Sequence, residues 1–263
     1  MSWRRVYAII LRYSYGLRHD VARLFDLFFW PIVDLLVWGF LTVYLTDVGF
    51  TLGGLGLSWL IGGIIFWTLL YRSSQDVAVQ LLEDIWARNF LNLFASPLRL
   101  SEFIAGMVLV AGVKVLITFL ALGLLAWLLY HYQVLALGLP LLPYLAVLLV
   151  FGWGMGLVVS ALIIRFGSRL QVFAWGAAFL IQPISAVFYP VEVLPPPVQV
   201  LARLNPPTYV FEGMRQVVLH GVFRWDQWLL AQALAFGVLA FSIWLFAWLF
   251  DDARVRGMLT RLD

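Results

Sequence analysis

Residues Pro140 to Ile164, PLLPYLAVLLVFGWGMGLVVSALII, run for 25 positions without a charged side chain. A hydrocarbon core about 30 Å thick takes roughly 20 helical residues at 1.5 Å each, so this run reads as a membrane crossing. Five more runs of that kind, none with more than one charge away from its ends, lie at Phe25–Leu45, Leu52–Tyr71, Phe103–Tyr130, Leu170–Tyr189 and Leu229–Phe250. The run 103–130 is long enough to require tilt or extension past the lipid boundary. Six crossings predict an all-α polytopic membrane protein, with 1–263 forming one transmembrane domain.

Composition agrees. Of 263 residues, 63% are hydrophobic and 12% charged, which excludes a water-soluble globule. Aromatics at 17% and a mean hydropathy of +0.96 exclude a disordered chain. The net charge of +3 comes from basic residues scattered at the ends of apolar runs, a pattern of membrane topology and not of nucleic-acid binding. The absence of Cys removes disulfides, thiolate nucleophiles and Cys-ligated metals.

The first 24 residues place Trp3, Val6, Tyr7, Ile10, Leu17, Val21 and Leu24 at helical spacing, with Arg5, Arg12, His19 and Arg23 largely on other faces. This predicts an interfacial helix against membrane lipids, apolar side in the lipid and Arg side toward anionic headgroups. A signal peptide is not expected, because Arg12, Arg18 and Arg23 interrupt any apolar core. Thirteen Lys and Arg flank the crossings on one side, Arg72, Arg88 and Arg99 among them, against three (Arg203, Arg215, Arg224) on the other. That asymmetry puts both termini in the cytoplasm.

Between the second and third crossings, residues 81–96 are expected to form a short amphipathic helix across the cytoplasmic surface. Leu82, Ile85, Trp86, Phe90, Leu93 and Phe94 share one face; Glu83, Asp84, Arg88 and Asn92 share the other, and Pro97 ends the helix. The acids are read as starting it, where the helix dipole favours them. A helix resting on lipid and a helix docking a protein both fit. The two acids favour docking, because anionic lipid selects a basic polar face.

Before the last crossing, Pro183, Pro190, Pro195, Pro196, Pro197, Pro206 and Pro207 forbid one straight helix. Short helices over 190–221 are expected: one across Val198–Leu204, then one that Asn205 caps, with Pro206 at its first position, ending near Gly221. Neither can span, so both must dip in against protein or line a wet cavity. An outer lid and an outer gate both fit. Glu212 and Arg215, at i and i+3, are expected to close on each other as a clip.

Two charges fall inside crossings. Asp34 and Lys114 lie about 14 and 17 Å from the cytoplasmic end of their helices, close enough in depth to meet as an ion pair. A polar patch on a transport path and a lone proton relay are the other readings. Gly152 and Gly156 sit within a GxGxG run that lacks a preceding strand, so close helix packing is expected instead of dinucleotide binding. His19, His131 and His220 are far apart in the chain and supply no metal-ligand spacing.

The run Glu83 through Leu98, with its acids, Arg88-Asn89-Phe90-Leu91-Asn92-Leu93 and closing Ser96-Pro97-Leu98, resembles the coupling-helix region of ABC-2 type transporter permeases. The interfacial helix, six crossings and broken outer segment extend the resemblance over nearly the whole chain. It implies a permease subunit exporting an amphipathic substrate, a drug, lipid or lipid-linked glycan, across a bacterial-type plasma (inner) membrane. It implies a second permease copy, in a homodimer or heterodimer, and a separate nucleotide-binding ATPase subunit that docks on Glu83, Asp84, Trp86, Arg88, Asn89 and Leu93. It also implies an outer gate at Asn205, Pro206, Tyr209, Glu212 and Arg215. The lone lysine, Lys114, follows Val113 inside a crossing, so no P-loop exists. The chain is therefore expected to bind no cofactor and to catalyse nothing itself, with ATP and Mg held by the partner ATPase. An ion-coupled secondary transporter would want several intramembrane carboxylates and inverted halves. A membrane-embedded enzyme would want convergent acids, histidines or a nucleophile at one depth.

Overall fold

The computed structural model describes residues 1–49, 58–131 and 141–257, and among these every regular element is helical. Residues 52–57 of the expected second crossing, Pro140 and the tail residue Arg261 lie outside the described residues. The chain runs α1 (Trp3–His19), α2 (Val21–Asp47), α3 (Ser58–Trp86), α4 (Phe90–Ala95), α5 (Leu100–Tyr130), α6 (Leu142–Phe166), α7 (Phe173–Ile181), α8 (Pro196–Leu204), α9 (Pro206–His220) and α10 (Trp225–Val255).

Four of these, α2, α5, α6 and α10, are long and apolar enough to cross a membrane. The two other expected crossings take different forms. In α3 the apolar run flows straight into Arg72, Ser73, Ser74, Gln75, Asp76 and Gln80, all buried, in one helix of 29 residues. The stretch 170–189 breaks into α7, of nine residues, between 3-10 turns at Ser168–Leu170 and Gln182–Ile184. Pro183 cannot donate to a helical ladder, which stops α7 early.

α6 lies at the centre, against α3 on one side and α10 on the other. Its glycines are the reason. A Cβ on Gly156 would stand 2.5 Å from the Ser74 carbonyl oxygen and 2.7 Å from Val77 Cβ. One on Gly152 would meet Ser73 Oγ and would lie 3.0 Å from the Leu70 carbonyl. On the other face, a Cβ on Gly154 would lie 3.3 Å from the Leu239 backbone. In lipid, where apolar side chains gain little by meeting, such backbone approach is what packs helices.

Two hydrophobic cores result. One gathers Leu35, Ile65, Phe66, Leu69, Leu122, Tyr144, Phe211 and Met214; the other gathers Val77, Leu81, Phe90, Phe103, Met107, Leu157, Ile164 and Phe250. Along α3 the first ends at Leu70 and the second begins at Val77. The polar stretch 72–76 lies between them.

Gly156→Leu is expected to push α3 from α6 and cost about 3 kcal/mol, the upper range for overpacking. Gly237→Leu, with open space at its Cβ, should leave thermal unfolding in detergent nearly unchanged. Equal melting shifts for the two would refute backbone contact as the packing device.

Candidate functional site

The helix expected over 81–96 is two helices. Leu81 to Trp86 are the last residues of α3, and the chain turns before α4 starts at Phe90. Arg88 takes φ 52°; its N–H donates to the Ile85 carbonyl (2.8 Å), and the Asn89 N–H to the Asp84 carbonyl (3.0 Å). This pair of bonds is a Schellman ending with Arg in the position glycine usually fills.

Glu83 and Asp84 therefore close a helix, where its dipole repels them, instead of opening one. The chain supplies cations to offset this. Arg12 of α1 pairs with Asp84, and the Tyr13 hydroxyl donates to the other Asp84 oxygen at 2.6 Å. Arg23 pairs with Glu83 at 3.0 Å and with Asp20 at 3.1 Å. Arg5 reaches Glu102 of α5 at 3.3 Å, and Glu102 also accepts the Ser2 N–H (2.6 Å) and the Arg99 N–H (3.0 Å). Burial pushes the Asp84 carboxyl up, against the Tyr13 hydroxyl and the Arg12 guanidinium. Burial and the Asp84 charge hold the Tyr13 phenol well above its ordinary range. Both acids are thus engaged within the chain, Asp84 clamping α1 and Glu83 the first turn of α2.

What the turn presents outward is different. Trp86, Ala87, Arg88 and Asn92 are exposed, while Asn89 and Leu93 are half-buried. The Trp86 ring stacks on Trp175 of α7, centroids 6.2 Å apart. Behind the turn, Phe90 and Phe94 pack on Phe103 at 6.1 and 5.4 Å and on Phe250 at 6.3 and 4.7 Å. α4 is thereby fixed to α5 and α10.

At the opposite end of the bundle, Glu212 and Arg215 meet at 2.8 Å. The same Glu212 oxygen accepts the Val191 N–H at 2.8 Å, and Arg215 donates to the Val187 carbonyl at 3.4 Å and lies over the Trp59 ring. Asn205 stands at the start of α9, but its side chain does not cap it. Pro206 and Pro207 have no N–H to offer, and the Thr208 N–H goes to the Asn205 carbonyl. The freed Asn205 amide donates to Ser185 Oγ (2.9 Å) and Thr208 Oγ1 (3.3 Å). The Tyr209 hydroxyl donates to the Arg203 carbonyl at 2.6 Å. These contacts tie α8 and α9 to residues 184–191.

Lys114 does not pair with Asp34. Its ammonium lies 3.2 Å from Asp76 of α3, a partner missed because the second crossing was ended at Tyr71. Arg72, counted from sequence as a flanking charge, is buried instead, bound to Asp26 at 2.8 Å and to Gln75 at 3.3 Å. The polar run Arg72-Ser73-Ser74-Gln75-Asp76 was the available signal: five polar residues continuing a helix need partners inside the bundle.

Arg12→Leu leaves the Asp84 carboxylate buried without its cation and is expected to cost about 3 kcal/mol in thermal unfolding. Adding Asp84→Asn, which still accepts from Tyr13, should recover most of that loss. If the double variant melts no higher than Arg12→Leu, the clamp is not electrostatic.

No curated protein matches this sequence. The family model described as ABC-2 type transporter matches residues 6–219, from the clamped face of α1 through α3, the α4 turn and the central α6 to the penultimate residue of α9. With well over half its length matched, the chain belongs to the ABC-2 type transporter family.

Proposed function

We propose that this chain is the permease subunit of an ATP-driven ABC exporter, and that the turn between α3 and α4 is where its separate nucleotide-binding ATPase docks. The observation that carries this is the exposed ridge of Trp86, Arg88 and Asn92, braced from behind by the Phe90/Phe94/Phe103/Phe250 cluster. A docking surface must project side chains and must not yield when pushed. Here a load on α4 passes into α5 and α10 through stacked rings, and into α3 through the turn itself.

In this reading six crossings pass the membrane, with α3 and the α7 segment joining the four longer apolar helices. Both termini and α4 face the cytoplasm of a bacterial-type plasma (inner) membrane, α1 rests on its lipid, and α8 and α9 form the outer gate. Two copies, identical or paired with a related chain, enclose a path for an amphipathic substrate. ATP and Mg belong to the ATPase.

The test is co-purification with a candidate P-loop ATPase. Trp86→Ala removes the exposed ring, and Arg88→Gly removes the side chain while keeping a residue suited to the left-handed turn. Both variants should fold as the wild type does and lose association at least about tenfold, which is roughly 1.4 kcal/mol. Unchanged association in both would overturn docking at this ridge.

A further inference from the structure

The charges in the inner stretches 26–34 of α2 and 72–76 of α3 and at Lys114 of α5 do not cancel. Arg72 is bound to Asp26 at 2.8 Å and Lys114 to Asp76 at 3.2 Å. Asp34 stands within electrostatic reach of Arg72, but it makes no hydrogen bond or ion pair among the described residues. Three carboxylates against two cations leave one negative charge, and the unpaired one is Asp34.

Its position makes the surplus unusual. Asp34 is in the middle of α2 and is exposed, on the face that also exposes Trp30, Val37 and Leu41. A carboxylate at that depth facing lipid costs about 2.5 to 3.5 kcal/mol or more. The chain offsets every other charge of this group internally and leaves this one open. Trp30 lies one helical turn before it on the same exposed face. Tyr71, half-buried, stands in the fields of Asp34, Asp26, Asp76 and Arg72, and its ring packs at 5.2 Å on Phe179 of α7, which also meets Trp67 at 5.9 Å. Phe179 is half exposed and Trp30 more so. A single carboxylate among aromatic faces is the chemistry that holds an organic cation: the charge meets the carboxylate, the ring faces meet the cation's skin, and an apolar body suits the surrounding lipid.

We propose that Asp34, with Trp30 on its own helix face and Tyr71 of α3 with the Phe179 ring of α7 packed on that tyrosine, is the recognition site for a monocationic amphiphile carried by this permease. The inference rests on the transport reading and sharpens it. A dication or an anion does not fit a surplus of one negative charge.

Two probes of one size and opposite charge test it: tetraphenylphosphonium and tetraphenylborate, measured by equilibrium dialysis against the purified full chain in detergent with empty micelles as blank. Wild type should bind the cation saturably and the anion not at all. Asp34→Asn should weaken cation binding roughly tenfold or more and Asp34→Glu much less, while Phe179→Ala, at an exposed ring, should weaken it several-fold. Unchanged cation binding in Asp34→Asn, or saturable anion binding by wild type, overturns the proposal. So does an altered oligomeric state in Asp34→Asn with probe affinity unchanged, which would assign the charge to packing between copies. ATPase co-purification separates the two readings: lost docking with intact probe binding sinks the transport reading, and intact docking with charge-blind binding sinks this one.

Discussion

The structure depends on how α3 keeps Arg72, Ser73, Ser74, Gln75, Asp76 and Gln80 inside a membrane bundle. In lipid, a polar group without a partner is expensive, and this stretch brings several in succession. Part of the solution is side-chain pairing, with Asp26 for Arg72 and Lys114 for Asp76. The larger part is cover. Gly152 and Gly156 let the α6 backbone close over Ser73, Ser74 and Val77, so that protein and not lipid meets the polar turn. These two small α6 positions are thus what makes the charged positions of α3 tolerable.

Because α3 passes through both hydrophobic cores, it connects the two ends of the molecule. At one end it finishes in Glu83 and Asp84, two acids at the wrong pole of a helix, and their compensation by Arg23 and Arg12 fixes the start of α2 and α1 to the bundle. An interfacial helix held by lipid alone would slide over the surface. Held by Arg5 to α5 and by Arg12 to α3, α1 must follow any displacement of the α3–α4 turn. The α3–α4 turn, the docking ridge of the proposed reading, and α1 are therefore one mechanical unit.

Legibility in the sequence followed the physics of each signal. The apolar runs of α2, α5, α6 and α10 are long and unbroken, and each became a helix. The packing role of Gly152 and Gly156 was also legible, because small residues at that spacing on an apolar helix have few other uses. What failed was local polarity read without its partners. Glu83 and Asp84 look like a helix start because acids favour one, and only the bundle reveals that arginines 60 and 72 positions away reverse the sign of their environment. Asp34 was paired with Lys114 on depth alone, which measures distance along the membrane normal and says nothing about which face of a helix a side chain leaves from. Asn205 resembles a cap by type, yet two prolines removed the donors it would cap.

One local cost remains, and it points the same way as the docking proposal. Left-handed backbone at a residue with a side chain costs roughly 1 to 2 kcal/mol that glycine avoids. The α3 ending accepts it at Arg88, the α5 ending at the exposed His131, and the break before the short outer helices at Ala186. Ala186 is fully buried and its methyl is packed, so there the core holds the strained residue in place. Arg88 is exposed, and no core enforces its conformation. A turn that needs only this geometry is most stable with glycine. Placing a guanidinium there uses folding energy to hold a charge beside the exposed Trp86, which is what the proposed docking reading requires.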